Sequence, residues 1–146
     1  MRALLQRVKS ASVEVDGKCI SEIRRGIVVF LGINQSDQAS DSEQLYEKII
    51  HLRIFDDEQG KMNLSVLEVG AEILVVSQFT LYGDCKKGRR PSFDEAMKPQ
   101  GAKMLYEHFL RGLSSFGLKI KSGRFQEYMQ IHLINDGPVT FMLESK

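Results

Sequence analysis

The sequence predicts a single mixed α/β domain with largely antiparallel sheets, and three observations point there. Two continuous β-branched runs, IVVFLGI (residues 27–33) and AEILVVS (residues 71–77), read as strands buried on both faces. Two segments, near residues 40–53 and 99–116, carry apolar residues at helical spacing. The order is β-rich, helix, strands, helix, strands, with no repeat, low-complexity stretch or linker. At 146 residues the chain has the size of one domain, residues 1–146.

The elements follow in order. In ASVEVDG, Ala11, Val13 and Val15 alternate with Ser12, Glu14 and Asp16, the period of a half-buried strand. Asp16-Gly17 then supplies a hairpin turn into KCISEI. After Arg24-Arg25-Gly26 comes the first doubly buried strand. Ser40 and Glu43 have capping-box spacing. Leu45, Ile49 and Leu52, joined by Tyr46, Ile50 and Arg53, set an apolar stripe, so a helix is expected that fades near Phe55. Residues 56–60, DDEQG, read as an exposed turn, and residues 71–82, AEILVVSQFTLY, as the second buried strand.

Ala102, Leu105, Tyr106, Phe109, Leu110, Leu113 and Phe116 predict the second helix, with Gly117 as its stop. Strands resume with LKIKSG and with MQIHLI and VTFML. NDGPVT (residues 135–140) breaks the last apolar run. Proline lacks the ladder donor and glycine weakens a strand, so its plainest reading is a turn.

A composition of 42% hydrophobic and 27% charged residues predicts a folded globular protein. The formal net charge of +1 gives no global attraction to nucleic acid, so an anionic partner must meet a local basic patch. Cys19 and Cys85 are too few for a disulfide scaffold or a zinc site and suit a reducing, cytoplasmic compartment. The opening MRALLQRVKSASVEV lacks the apolar core of a signal peptide. No segment approaches the ~20 apolar residues of a membrane span, so no membrane partner is expected.

Conventional catalytic sets are missing. His51, His108 and His132 sit in apolar or helical segments, where none is poised between a nucleophile and a carboxylate. Neither metal-ligand spacing nor a phosphate-cradling glycine loop occurs, so neither a metal nor a cofactor is expected. SQFT ends the most apolar strand and offers the Ser77 and Thr80 hydroxyls, the Gln78 amide and successive backbone N–H groups able to stabilise an oxyanion. The same residues also serve simply to end a strand. Lys86, Lys87, Arg89 and Arg90 fall within five positions, either a solvated turn or a phosphate-contacting patch beside SQFT. Arg7 and Lys9 are candidates to extend that patch.

QRVKSASVEVDG, RIFDDEQGKMN, LVVSQFTLYGD, GRRPSF, SGRFQEYMQ and NDGPVT together make essentially the whole chain resemble the D-aminoacyl-tRNA deacylases, the D-Tyr-tRNA(Tyr) deacylase family. The pair SQFT and NxGPVT, in that order and at this separation, is specific. The resemblance implies a barrel-like core of largely antiparallel sheets with two main helices, and a homodimer with cross-subunit active sites. Ser77, Gln78, Phe79 and Thr80 would shape the catalytic pocket. Gly137-Pro138, joined by a cis bond and supplied by the other subunit, would select chirality together with Asn135 and Arg7. Its carbonyls would meet the α-centre and leave no room for an L side chain, while glycine, including glycyl-tRNA mischarged on tRNA(Ala), would pass.

The implied reaction is hydrolysis of the ester joining a D-amino acid to the terminal adenosine, releasing free D-amino acid and tRNA as a proofreading step in translation. Backbone groups around Phe79 and Thr80 and the substrate's own ribose hydroxyl would carry it. Gln78 would orient substrate, Ser77 would support the pocket, and Lys86, Lys87, Arg89 and Arg90 would contact tRNA phosphates. Thr80 as a nucleophile lacks a base to activate it. Gly83 and Cys85 depart from the alanine and threonine more usual in the family. The sequence stops at Lys146, so the C-terminal extension of some animal relatives, linked to DNA-associated roles, is not expected. Two alternatives stay open: a non-catalytic RNA-binding module using residues 86–90, and an editing enzyme that removes L-alanine.

Overall fold

The alternation read at residues 11–15 is one end of a longer strand, β1 (Arg2–Val15), around which the sheet is organised. A computed structural model describes residues 1–145. β2 (Lys18–Ile23) returns antiparallel to β1 through Asp16 and Gly17, both at positive φ. β3 (Gly26–Gly32) pairs antiparallel with the first half of β1. The first helix, α1 (Ala39–His51), leads to a two-stranded hairpin of β4 (Arg53–Asp56) and β5 (Met62–Ser65) and a short helix, α2 (Val66–Val69). β6 (Glu72–Ser77), α3 (Pro99–Ser114), β7 (Ile120–Ser122) and β8 (Gln130–Glu144) complete the chain.

The order of the main sheet is β2-β1-β3-β6-β7, with β8 also on β1. All three pairings of β1 are antiparallel, whereas β3–β6 and β6–β7 are parallel. Both parallel pairs follow helical crossovers, which such pairs require. β2 also approaches β6 and β7, so the sheet curls toward a barrel.

The continuous apolar runs are explained by two cores. Ile27, Val29, Leu31, Ile73 and Val75 face α1 and α3, while Val28, Leu74 and Val76 pack with Val8, Val13 and Ile23 on the other side. The helices meet through Tyr46, whose ring lies edge-on to Phe109 and Phe116 at 6.1 and 6.2 Å between centroids.

Some boundaries differ from the sequence reading. α1 is capped at Gln38, not Ser40, because the buried Asp41 carboxylate turns back to accept the Gln38 N–H at 2.9 Å. The helix stops at His51, and Ile54 and Phe55 are buried in a strand rather than on a fading helical turn. Apolar neighbours of that kind fit either period. The turn expected at residues 56–60 closes the hairpin, with Asp57 Oδ1 accepting from the N–H groups of Gln59 and Lys61. α2 adds a third, short helix with its own capping box, Ser65 and Glu68, and a left-handed stop at Gly70. Among the described residues no helix is long and apolar enough to cross a membrane. Nor, among them, does any group of three or more His, Cys, Asp or Glu side chains stand ready to hold a metal ion.

Candidate active site

β6 ends sooner than its apolar sequence suggests. After Ser77 the Gln78 N–H donates to the Leu31 carbonyl at 2.8 Å, and the chain then tightens into a 3₁₀ turn, Phe79–Tyr82. The turn is closed by Leu81 N–H donating to Gln78 O at 3.2 Å and Gly83 N–H to Thr80 O at 2.9 Å. The opening amides of such a turn, here those of Phe79 and Thr80, have no acceptor within it. Ser77 and Gln78 are half-buried, and Phe79 and Thr80 are exposed. Gln78 Nε2 donates to Thr80 Oγ1, so the hydroxyl is met by a neutral amide and not by a base.

A cavity of about 750 Å³ opens at this strand end, lined by Ser77, Gln78 and Phe79 and walled by Val76, Met97, Phe125 and Met129 among others. Its floor is braced from behind. Tyr106 Oη donates to the Val75 carbonyl at 2.9 Å, and that carbonyl also accepts the Gly123 N–H at 2.9 Å. One oxygen, two residues before Ser77, thus fastens α3 and the loop after β7 to β6. Burial pushes the Tyr106 phenol well above its ordinary pKa, which keeps it a neutral donor.

The basic loop follows directly. Asp84 and Ser92 exchange backbone hydrogen bonds of 2.7 and 3.0 Å, pinching off the exposed residues Lys86, Lys87, Arg89 and Arg90. Phe93 then returns to the cavity and meets Phe79 edge-on at 5.0 Å. Gly83 lies against the Phe93 ring, where a Cβ would sit 3.0 Å from Cε1, and Cys85 is exposed in the loop.

NDGPVT is not a turn between two strands. β8 pairs with β1 on both sides of it, Gln6 opposite Thr140 and Val8 opposite Asn135, so Arg7 alone faces residues 136–139. The segment is a bulge, and the Gly137-Pro138 peptide bond within it is cis. Asn135 shapes the bulge from within: Oδ1 accepts the Val139 N–H at 3.0 Å and Nδ2 donates to Thr140 Oγ1 at 2.9 Å. Gly137 has φ +135°, and a Cβ there would lie 2.6 Å from Val139 Cγ2. Only glycine suits that position. Gly137 and Pro138 are exposed.

Arg7 underlies the bulge and is 7% exposed. Nε donates to the Asp136 carbonyl at 3.1 Å, and Nη1 donates to the Ile54 carbonyl at 2.8 Å and reaches Asp56 Oδ1 at 3.3 Å. Its cation is therefore spent internally, which removes it from any phosphate-binding surface shared with Lys9.

The structure keeps the two motifs apart within one chain. Ser77 pairs with Leu31, whereas Arg7, which faces the bulge, pairs with Ile27, itself opposite Ile73. The bulge thus lies four residues along the sheet, about 13 Å, and three strand spacings, about 14 Å, from the cavity mouth. No residue of 135–140 lines the cavity. His51, His108 and His132 lie outside it too, near Glu47, Glu43 and Glu14 at 3.5–3.7 Å. Phe93, Met97, Phe125 and Met129 are lining residues that periodicity did not single out, because a loop wall has no period. SGRFQEYMQ was conspicuous only for its resemblance.

Comparison with known proteins places the chain in a family. The sequence pattern of the family described as D-Tyr-tRNA(Tyr) deacylase matches residues 4–144. A D-aminoacyl-tRNA deacylase of Thermosipho africanus is 56% identical over 146 residues, covering 100% of this chain and 98% of its own. One of Thermodesulfovibrio yellowstonii is also 56% identical, covering 100% of both. Among solved structures, one titled c-Myc DNA Unwinding Element Binding Protein superposes with a TM-score of 0.94 at 47% identity, covering 100% of this chain and 99% of its own. A probable eukaryotic D-amino acid tRNA deacylase shares the fold at 19% identity, with a TM-score of 0.85 over 98% of each chain. The chain belongs to the D-Tyr-tRNA(Tyr) deacylase family and is a hydrolase acting on carboxylic ester bonds.

Proposed function

We propose that the cavity at the end of β6 holds the ester of a D-aminoacyl-tRNA, and that Gly137-Pro138 of a second subunit completes it. The observation that carries this reading is the distance between the two motifs. A glycine that tolerates no side chain and an exposed proline stand on the surface, remote from their own cavity. β8 pairs on one edge only, and Ile134, Phe141 and Met142 are exposed along it at 56, 38 and 49%. A strand of this length with one open edge and exposed apolar side chains is the kind of surface that a second copy covers.

In the completed site, water attacks the ester carbonyl and the oxyanion is met by the free amides of Phe79 and Thr80. The C–O bond to the ribose breaks, the proton passes to the ribose oxygen, and free amino acid and tRNA leave. An aminoacyl ester is already activated, so positioning and charge stabilisation suffice without a side-chain nucleophile. The substrate's neighbouring ribose hydroxyl assists the transfer, Gln78 orients the substrate and Ser77 supports the wall. Main-chain atoms of the partner's Gly137 and Pro138 occupy the volume an L side chain would need, and Asn135 and Arg7 hold that bulge in shape. Glycine carries no side chain to exclude, so glycyl-tRNA mischarged on tRNA(Ala) is also a substrate. Lys86, Lys87, Arg89 and Arg90 bind tRNA phosphates in a salt-dependent manner, and the reaction belongs to the cytoplasm.

The test is deacylation of D-Tyr-tRNA against L-Tyr-tRNA under one condition. Rapid loss of the D ester with survival of the L ester is expected. Comparable rates for both would refute chiral selection.

A further inference from the structure

Tyr128 is the most exposed large apolar side chain among the described residues at 87%, yet it borders the cavity. An aromatic ring held at a rim with most of its surface in water is open for stacking. It is not alone there. Phe79 and Phe93, 57 and 38% exposed, border the same cavity as an edge-to-face pair. Lys98 also lines it, and the four cations of residues 86–90 stand on the loop that ends at Phe93. The nearby Glu127 carboxylate is met by Arg124 at 3.4 Å. Exposed rings beside a cationic loop are the combination that holds single-stranded nucleic acid: rings take the base faces and cations take the phosphates.

We propose that Tyr128 is a stacking platform for an unpaired nucleobase that precedes the terminal adenosine of the tRNA, with the Phe79–Phe93 pair bordering the same passage. This inference rests on the deacylase reading and deepens it. The cavity takes the ester, and the rim takes the single strand leading to it. Sequence-independent recognition follows, because every base has a face to stack and Tyr128 reads no base edge.

The test compares two substrates, a full-length D-aminoacyl-tRNA and a D-aminoacyl-adenosine that lacks the preceding nucleotides. The quantity measured is the ratio of their kcat/KM values. Tyr128→Ala is expected to lower that ratio about tenfold, the loss of one stacked base, while Tyr128→Phe keeps it near wild type. A ratio unmoved by Tyr128→Ala in an active enzyme overturns the inference alone, as does an equal loss in Tyr128→Phe, which would assign a role to the hydroxyl. A fall in oligomeric mass for Tyr128→Ala also overturns it, placing the ring in a subunit contact. Wild-type protein that hydrolyses neither D ester overturns the deacylase reading, and this inference with it.

Discussion

Arg7 holds Asp136 and Ile54 together through one guanidinium, donating from Nε to the first carbonyl at 3.1 Å and from Nη1 to the second at 2.8 Å. The bulge of β8 is thereby tied to the β4–β5 hairpin across the strand that carries Arg7.

Removing that tie leaves a buried carbonyl without its donor. Arg7→Ala is expected to cost about 2–4 kcal/mol in urea unfolding, with deacylation falling alongside. Arg7→Lys should recover only part of this, because an ammonium lacks the planar fork that serves both carbonyls. Full recovery by lysine would show that charge alone matters.

Gly137 offers a sharper probe of the bulge. Gly137→Ala places a methyl group against Val139 at a φ of +135°, a strain of about 1–3 kcal/mol. Hydrolysis of D-Tyr-tRNA is expected to fall about a hundredfold, the scale of a displacement near 1 Å at a positioned site. Wild-type rates and chirality in this variant would detach the bulge from the reaction.

Thr80 is exposed beside the cavity without lining it, and its hydroxyl accepts from the Gln78 amide. Thr80→Ala is therefore expected to keep kcat within about tenfold of wild type, since the Phe79 and Thr80 backbone amides remain. A loss of many orders of magnitude would make Thr80 the nucleophile and require a base that the site does not present.

Acid stability should report on Glu72. Its carboxylate accepts from Lys119 Nζ and from the Arg24 N–H, both at 2.8 Å, which hold its pKa below the ordinary value of 4.5. A depressed folded-state pKa gives stabilisation that is present above 4.5 and is lost as pH falls through the folded value. Thermal melts of Glu72→Gln should accordingly lose less stability than wild type between about pH 5 and pH 3. Parallel acid limbs for the two proteins would dismiss the contribution.

Much of the fold was legible in the residues. The runs at 27–33 and 71–77 announce strands buried on both faces, and Val28 and Leu74 do face a different core from Ile27 and Ile73. Helix α3 was equally plain, ending within two residues of expectation. The stretch from Arg53 to Asp56 was not, because Ile54 and Phe55 extend a helical stripe as readily as they fill a strand. Ser40 resembled a cap, but the buried Asp41 settled the helix start two residues earlier. Cap choice depends on which carboxylate the surrounding core forces back onto the chain.

By itself the sequence determined the family through the resemblance of its motifs, and the strand-ending SQFT and a glycine-proline break in the last strand through local chemistry and local period. Only the tertiary structure decided that the break is a bulge on a continuous strand, that Arg7 is consumed beneath it, and that the break stands apart from its own cavity. Those facts depend on register between strands distant in the chain, and register is set by how two faces pack, which no local period records.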